Sequence, residues 1–322
     1  VNKEKWILER EYDLLNVKYF HAVFTVPSEL RPIFWQNKKL MYNLLFKSAW
    51  ETLDTFSKNP KNKLQAKMGM IAVLHTWTQK LLYHPHVHCI VPAGGIDLCN
   101  NWKSTKSKGK FLFFVPNLAD SFRGIFMEKL LELYKQKELT LEGKISHLKQ
   151  ASSFWQLKKM LYEINWKLNA KDPFGNPNAV LEYLGRYTHK IAISNYRIKI
   201  IGEDSVTFTY LDRNNNNKQK TLTLTADKFI ARFLLHLLPR GFCKIRHYGF
   251  LSTRVKQHYL PLIRKSLGMK EPEPKPKYMV KDVLRITKGI DPDLCPECGE
   301  GVLICIQELP RLRGSPNFRK CS

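Results

Sequence analysis

Three histidines stand at alternate positions in the segment LLYHPHVHCIVPAGGI, which covers residues 81–96. Successive side chains of a β-strand point to opposite faces, so His84, His86 and His88 share one face of the strand predicted at about 83–92. Burying an imidazole without a partner is unfavourable, and the cluster is therefore either a solvated edge or a metal site. Positions 84 and 88 lie roughly 13 Å apart at ~3.3 Å per residue, so one ion cannot comfortably take all three.

Two tyrosines four residues apart form a second group, in the segment NPNAVLEYLGRYTHK. Asn176 followed by a proline is a strong helix start, and the predicted helix covers 176–188. Tyr183 and Tyr187 then project from one side of the helix, where Gly185 costs about 1 kcal/mol relative to alanine. The flanking basic residues are Arg186, His189 and Lys190. The pair either packs on a sheet with its hydroxyls in water or acts on a substrate.

The charge of the chain indicates the kind of partner it binds. Its 322 residues include 53 Lys and Arg against 28 Asp and Glu, which gives a net charge of +25. This excess is spread along the whole chain, and a folded protein tolerates it best when its partner is a polyanion, usually nucleic acid. No apolar run approaches the ~20 residues of a membrane span, so we expect no membrane partner. At this point, a basic binding protein without catalytic activity is an alternative interpretation.

The two groups together fit one kind of chemistry. A tyrosine hydroxyl has a pKa of about 10 and is a poor nucleophile at neutral pH. Attack on a DNA phosphodiester requires that the phosphate charge be offset and its oxygens polarised, which a divalent cation held by neutral imidazoles can do. Histidines on a strand and tyrosines on a helix against the same sheet therefore favour the transfer of DNA to a tyrosine.

These residues carry a resemblance to a known family. The triplet His86-Val87-His88 resembles the His-hydrophobic-His motif of the HUH endonucleases. The segment YHPHVHCIVPAGG, followed by NPNAVLEYLGRYTHKIAISNYRI, resembles the rolling-circle insertion-sequence transposases with two tyrosines. Further similarity lies in YFHAVFTVPSELRPI, HTW and RFLLHLLPRGFCKIRHYGF, so the resemblance covers most of residues 6–300. Such transposases usually carry a cysteine-rich zinc-binding module before the YFH segment, and we expect this sequence, which begins at Val1, to lack it.

The resemblance implies an enzyme that cleaves and rejoins single-stranded DNA at transposon ends through a 5′-phosphotyrosine intermediate. Tyr183 and Tyr187 would be the nucleophiles, and His86 and His88 would bind a divalent cation, Mg²⁺ or Mn²⁺. The implied partner is single-stranded DNA with hairpin-containing transposon ends, and the implied location is the bacterial cytoplasm, at the nucleoid. Two alternatives stay open: a rolling-circle replication initiator, and a single-strand-binding protein derived from an inactive transposase.

Two residues are candidates for the third metal ligand. His75 ends the strand that precedes the histidine strand, and a hairpin would bring it alongside. Glu182 is the acidic residue close to the tyrosines, and in other HUH enzymes the tyrosine helix can supply the third ligand. We favour His75 and expect His84 to contact a phosphate or to support the ligands. Imidazoles suit Mn²⁺ and Zn²⁺, whereas Mg²⁺ prefers oxygen ligands.

The order of the elements predicts an α+β fold with a central antiparallel-rich sheet flanked by helices. The resemblance implies that this sheet belongs to an HUH-endonuclease core. The predicted helices cover residues 3–16, 37–57, 119–139, 153–168, 176–188 and 226–238. The predicted strands cover 19–27, a segment ending near His75, 83–92, 109–116, 191–201 and a hairpin of 205–211 with 219–225. A small cysteine-containing segment follows at the C-terminal end.

A basic, aromatic segment follows the hairpin and the last predicted helix. Cations there would contact phosphates while aromatic rings, including Phe242 and Phe250, would stack on unpaired bases. The alternative is a solvated basic face over core aromatics. The predicted DNA-binding residues are Arg186, Lys190, Arg232, Arg240, Lys244, Arg246, Tyr248 and Arg254.

The cysteines indicate a zinc site rather than disulfides. The chain has seven, an odd number, which argues for a reducing compartment. Cys295 and Cys298 form half of a zinc knuckle, which Cys305 and Cys321 could complete as a structural zinc site. The remaining three, Cys89, Cys99 and Cys243, are predicted to be packing residues.

The predicted organisation has five parts. They are an N-terminal region at 1–57, a nuclease core at 58–201, a hairpin, helix and DNA-binding region at 202–269, a Pro/Lys-rich linker at 270–290 and a zinc-knuckle tail at 291–322.

Overall fold

The computed structural model describes residues 2–171, 179–181, 185, 192–212, 215–270, 276–304 and 306–307. The helices are α1 (Asn2–Glu11), α2 (Arg31–Gln36), α3 (Lys38–Lys58), α4 (Lys106–Gly109), α5 (Val115–Lys135), α6 (Ala151–Glu163), α7 (Ala226–Leu234), α8 (Lys256–Ser266) and α9 (Val280–Lys288). The strands are β1 (Tyr19–Thr25), β2 (Gly69–Trp77), β3 (Tyr83–Pro92), β4 (Gly94–Ile96), β5 (Trp102–Ser104), β6 (Leu168–Lys171), β7 (Ile198–Ile201), β8 (Ser205–Asp212), β9 (Lys218–Thr225) and β10 (Ile245–Gly249). The predicted α+β class is confirmed, with a central antiparallel sheet flanked by helices.

The central sheet has five antiparallel strands in the order β10-β2-β3-β1-β6. β2 and β3 form the predicted hairpin, in which His75 stands opposite His86 and Val73 stands opposite His88. β1 pairs with the other edge of β3, where Val23 stands opposite His88. The histidine strand is therefore the middle strand of the sheet, where its backbone is held from both sides.

One face of this sheet packs on a layer of helices. α3 contacts β2 and β3, and α5 packs on α3 and β6. Alternate residues of β3, namely Val87, Cys89 and Val91, point to this side and are fully buried. Each such apolar side chain contributes about 1.5–3 kcal/mol when it is removed from water. This core fixes the register of β3 and thereby turns the intervening histidines to the opposite face.

The opposite face carries the histidines beside an apolar cluster. Val73 and Ile90 are buried there together with Val180, which belongs to the helical residues 179–181. Val73 is two residues from His75 along β2, and Ile90 is two residues from His88 along β3. The segment that precedes the two tyrosines therefore packs on the histidine face of the sheet.

A second, three-stranded sheet has the order β7-β8-β9. The predicted hairpin at 205–211 and 219–225 is confirmed by the pairing of β8 with β9. Phe208 and Leu224 of this sheet are buried against Leu81, in the turn between β2 and β3. The small sheet thus supports the turn that closes the histidine hairpin.

The strand predicted at 109–116 is wrong. Lys106–Gly109 is a short helix, and α5 already begins at Val115, with Pro116 in its first turn. The apolar side chains between them anchor a loop, since Leu112 and Phe113 are buried without any strand partner in the described residues. A short apolar run has no periodicity that separates such an anchor from a strand.

Other elements differ from the prediction where a strand pairs with a distant part of the chain. The helix predicted to residue 168 ends at Glu163, and Leu168–Lys171 pairs with β1 as an edge strand. The strand predicted at 191–201 is reduced to Ile198–Ile201. β10, which pairs with β2, lies within the segment predicted to bind DNA. Local sequence does not reveal pairings of this range.

Most of the helix predicted at 176–188 lies outside the described residues, although residues 179–181 and 185 are helical. Part of the predicted linker, 271–275, lies outside them too. Within the described part of the chain, no helix combines the length and the apolar character needed to cross a membrane.

Candidate metal centre

The structure brings three of the predicted histidines together. One ring nitrogen each from His75, His86 and His88 lies within 4.8 Å of the other two. The ring centroids are 4.1 Å apart for His75 and His88, 4.9 Å for His86 and His88, and 5.4 Å for His75 and His86. His84 is outside this group, as its distance along the strand predicts. Three nitrogens at this spacing could hold a metal ion.

Hydrogen bonds fix which ring nitrogens face the centre. Nδ1 of His86 lies 2.7 Å from the main-chain oxygen of His84, and a carbonyl can only accept, so this Nδ1 carries the proton. Nδ1 of His88 lies 2.8 Å from Nε2 of His21, whose ring stacks on it at 5.0 Å. Since each hydrogen bond occupies Nδ1, the Nε2 atoms of His86 and His88 are the ones available to a metal. This is the usual arrangement around a histidine ligand.

Burial keeps the third histidine neutral. His75 is only 3% exposed, and its ring stacks on Trp77 at 4.8 Å. Burial, followed by the nearby charges of His86 and Lys244, holds the pKa of His75 well below its usual value. A neutral imidazole has a lone pair for a metal at neutral pH. The donor set therefore fits an imidazole-preferring transition ion, and Mg²⁺ would need oxygen ligands from substrate or water.

His84 lies beside the centre and contacts an arginine that the sequence did not suggest. Nη2 of Arg31, at the start of α2, lies 3.1 Å from Nδ1 of His84. Since a guanidinium only donates, Nδ1 of a neutral His84 is the acceptor and its Nε2 carries the proton. Arg31 and His84 together present hydrogen-bond donors next to His86, whose ring centroid is 5.3 Å from that of His84.

The tyrosine pair and its neighbours lie outside the described residues. These are Tyr183, Tyr187, the alternative ligand Glu182, and the predicted DNA-binding residues Arg186 and Lys190. Described positions close by in the chain include Val180, which is fully buried on the histidine face, and Gly185, which is buried and helical. The roles of the tyrosines stay predictions.

Of the predicted DNA-binding residues, Lys244 approaches the centre, and Arg232 contacts the turn between β2 and β3. Lys244 accepts a hydrogen bond at its main-chain oxygen from Leu74 of β2, and burial lowers the pKa of its ammonium group. Its charge also depresses the pKa of His75. Arg232 of α7 donates from Nη1 to the main-chain oxygen of Lys80, in the turn between β2 and β3.

Two other predicted DNA-binding residues, Arg246 and Tyr248, point to the face of the sheet that the helices cover. Arg246 donates to Asn43 Oδ1 of α3 at 2.5 Å and lies between aromatic rings, 4.4 Å from the ring centroid of Phe46. Tyr248 stacks on Trp50 at 5.5 Å. The structure therefore does not bring these two to the histidine face, and packing accounts for them. Arg240 and Arg254 are exposed in turns, where a DNA contact stays a prediction.

The prediction that Phe250 stacks on bases is wrong, because this ring is fully buried against Leu251 and Leu260. Phe242 packs on the core beside Tyr42, with ring centroids 5.5 Å apart. Neither ring reaches the histidine face in these contacts.

The cysteine tail is described only in part. Cys298 is exposed, and main-chain N–H groups of Gly301 and Glu300 lower the pKa of its thiol, Gly301 N lying 3.3 Å from Sγ. Cys295 lies on the same turn, whereas Cys305 and Cys321 lie outside the described residues. The structural zinc stays a prediction.

Among the other cysteines, Cys89 is buried as predicted. Cys99 and Cys243 are exposed, so their prediction as packing residues is wrong. Both lie in connections beside strands rather than within them.

His21 and Arg31 are the site residues that sequence reasoning missed. His21 lies on β1, which was predicted, but its approach to His88 depends on the pairing register of β1 with β3. A histidine at an inward position of a buried strand was the available signal. Arg31 had no such signal in the sequence, because a helix start after a Pro-Ser turn is a common surface feature.

The fold and the site define an α+β protein whose central antiparallel sheet carries a histidine cluster that could hold a metal ion. Residues 69–258, more than half of the chain, match the family model described as "Putative transposase". The chain belongs to this transposase family.

Two curated relatives are similar over nearly the whole chain. The chain is 39% identical to "Putative transposase y4qJ" of Sinorhizobium fredii (strain NBRC 101917 / NGR234) over 320 residues, 98% of this chain and 79% of that protein. It is 29% identical to the transposase for insertion sequence element IS801 of Pseudomonas savastanoi pv. phaseolicola over 297 residues, 92% of this chain and 69% of that protein. No solved structure matches the chain significantly.

Proposed function

We propose that this transposase cleaves and rejoins single-stranded DNA at the ends of an insertion sequence, with Tyr183 and Tyr187 as nucleophiles. The observation that carries the proposal is the cluster of His75, His86 and His88 on the face where Val180 packs. The substrate we propose is a single strand with a hairpin-containing transposon end. The large positive charge of the chain supports a polyanionic substrate.

Helix geometry supports the tyrosine assignment. Positions i, i+3 and i+7 share one side of a helix, and Val180, Tyr183 and Tyr187 have this spacing. If the helix of residues 179–181 continues through position 187, it would turn both tyrosines to the side on which Val180 meets the sheet. Val180 packs on Val73 and Ile90, each two residues from a predicted ligand. This arrangement favours an approach of the phenols to the histidines.

The proposed reaction is a transesterification. A divalent cation bound by the three imidazoles, Mn²⁺ or Mg²⁺, would offset the phosphate charge and polarise its oxygens. The tyrosine oxygen attacks phosphorus and loses its proton, and the bond between phosphorus and the 3′-oxygen breaks. The 3′-oxygen takes up a proton and leaves as a hydroxyl, while the 5′-phosphate stays on tyrosine. Because one phosphoester bond replaces another, the reverse step joins strands without an external energy source.

Each histidine has its own part in this proposal. His86 and His88 would hold the ion through Nε2, with the tautomer of His86 set by the carbonyl of His84. His21 would orient the ring of His88 through their hydrogen bond. The second tyrosine would accept a second strand before the first product leaves, as rolling-circle movement of one strand requires.

A covalent-adduct assay tests the proposal. The protein is incubated with Mn²⁺ and a labelled, hairpin-bearing oligonucleotide from the element end, and adducts are separated on a denaturing gel. We expect an adduct that EDTA abolishes and that mass spectrometry assigns to Tyr183 or Tyr187. The double variant Tyr183→Phe/Tyr187→Phe should form none, while Tyr162→Phe, which changes an exposed tyrosine of α6, should form it normally.

The outcomes separate the alternatives. Adducts that persist in the double variant would mean that the nucleophile is misassigned. Binding of the oligonucleotide without any adduct, with or without metal, would instead identify a non-catalytic single-strand-binding protein. Cleavage at a plasmid or phage origin but not at an element end would identify a replication initiator.

A further inference from the structure

A pocket opens beside the candidate metal centre, between the start of α2 and the turn that joins β2 to β3. Its volume is about 360 Å³, within the range of small-ligand sites. Trp35 and Leu82 form its open rim and are 45% and 42% exposed. The lining residues are Arg31, Pro32, Trp35, Leu82, Tyr83 and Leu235.

The shape and charge of this pocket fit a flat, unpaired ring attached to an anion. The indole of Trp35 meets the edge of Tyr83 at 5.9 Å, which fixes the tryptophan on one side. Nζ of Lys38 lies 4.0 Å from the Trp35 ring centroid and donates to the main-chain oxygen of Leu235 at 3.1 Å. The lining residues include no carboxylate. An aromatic platform beside cations is the arrangement that stacks unpaired bases.

Arg31 connects the pocket to the centre. It lines the pocket, and its Nη2 lies 3.1 Å from Nδ1 of His84, whose main-chain oxygen accepts from His86. Nε of Arg31 is buried and has no hydrogen-bond partner within the described part of the chain. A buried donor of this kind is usually satisfied in the functional state, and a phosphate oxygen would satisfy it. His84 and His86 are two residues apart, roughly 6.6 Å along the strand.

We propose that this pocket binds one unpaired nucleobase of the cleaved strand, stacked on Trp35, while Arg31 and His84 bind the phosphate next to the scissile one. The inference rests on the proposed single-stranded substrate and adds the position at which the protein stacks a base. Trp35 is the base-stacking residue in this arrangement, and Arg31, by binding the neighbouring phosphate, is a positioning residue for the scissile phosphate.

The test compares two matched tryptophans. Trp155 of α6 is 49% exposed, and Nζ of Lys158 lies 4.3 Å from its ring centroid, so it reproduces the local chemistry of Trp35 away from the lining of the pocket. Trp35→Leu and Trp155→Leu are made in the Tyr183→Phe/Tyr187→Phe background, in which we expect no covalent capture of DNA. Binding is measured with oligothymidylate and with an all-abasic oligomer of equal length.

We expect Trp35→Leu to weaken the binding of oligothymidylate roughly 5- to 100-fold and to leave the abasic oligomer unaffected. Trp155→Leu should change neither. The proposal is overturned if Trp35→Leu weakens the binding of both oligomers equally or of neither. It is also overturned if Trp35→Leu and Trp155→Leu lose equal affinity for oligothymidylate. Arg31→Gln should weaken both oligomers and lower the salt dependence by about one phosphate contact, and an unchanged salt dependence would remove Arg31 from the site.

A crosslinking experiment covers the case in which Trp35→Leu does not fold. Oligothymidylate with 5-iododeoxyuridine is irradiated with the Tyr183→Phe/Tyr187→Phe protein, in which Trp35 is intact. A crosslink on Trp35, Leu82 or Tyr83 supports the pocket, and crosslinks found only elsewhere overturn it. If adducts form in the covalent assay but Trp35 has no effect, the pocket alone fails. If Trp35 discriminates the oligomers but no adduct forms, the proposed chemistry fails and the base site stands.

Discussion

Replacing His21 by alanine tests whether the hydrogen bond behind His88 holds the metal centre in place. His21 is 7% exposed, its Nε2 lies 2.8 Å from Nδ1 of His88, and the two rings stack at 5.0 Å. Without this acceptor, the Nδ1 proton of a ligating His88 loses its partner at a cost of about 1–3 kcal/mol. Part of that loss is offset because His88 is half-buried and water can approach it. We therefore expect Mn²⁺ to bind about 10- to 100-fold more weakly.

Isothermal titration of chelator-treated protein with Mn²⁺ measures this change. His86→Ala removes a proposed ligand and should abolish binding, whereas His147→Ala changes an exposed histidine and should leave it intact. His21→Gln can still accept from His88 and should restore part of the affinity. The thermal midpoint of the metal-free proteins separates a general loss of folding from a loss of binding. If His21→Ala binds Mn²⁺ as tightly as the unchanged protein while His86→Ala does not, the reasoning about His21 is refuted.

Three further changes test the fold around the site. Burial lowers the pKa of His236 to about 4, so its contribution to stability is complete above pH ~6.5 and is lost as pH falls to ~4, by up to about 3 kcal/mol. The free energy of unfolding, measured with urea at several pH values, should fall over this pH range, and it should depend less on pH in His236→Gln. Gly249 has φ +59°, and a Cβ there would strike a neighbouring main-chain oxygen, so Gly249→Ala should cost more than about 3 kcal/mol. Gly124→Ala, in open space on α5, should gain up to about 1 kcal/mol in the same unfolding assay, and equal effects of the two alanines would contradict this reading. Tyr83→Phe removes the 2.7 Å hydrogen bond to the hydroxyl of Tyr42, and we expect a loss of about 1–2 kcal/mol that shrinks when Tyr42 is also changed to Phe.

Sequence patterns predicted the elements with strong periodicity. The bounds of β3 were predicted correctly because apolar residues and histidines alternate from Tyr83 to Cys89 and an apolar run then continues to Pro92. α3 and the hairpin of β8 and β9 were predicted for the same kind of reason, since each shows a clear period or a turn signal. The sequence of the loop at 110–114 predicts a strand because a short apolar run has no period that distinguishes the two.

The candidate site was predictable to the extent that it depends on one strand. The strand spacing puts His84 roughly 13 Å from His88, and the family motif selects His86 and His88 as ligands. In the structure these two histidines cluster with His75, and His84 lies outside the group. The third member, His75, needed the added assumption of a hairpin between neighbouring strands, which the register confirms. Assignments based on composition alone were weaker, as the inward packing of Arg246 and Tyr248 shows.

The sequence by itself determined which side chains share a face, because the pleat of a strand repeats every two residues whatever surrounds it. It also determined the basic character of the chain and carried the family motifs. Only the tertiary structure decided that His21 meets His88 and that Arg31 meets His84. These contacts join residues 67 and 53 positions apart in the chain. Their geometry depends on strand register and helix docking, which the core sets jointly and no local pattern encodes.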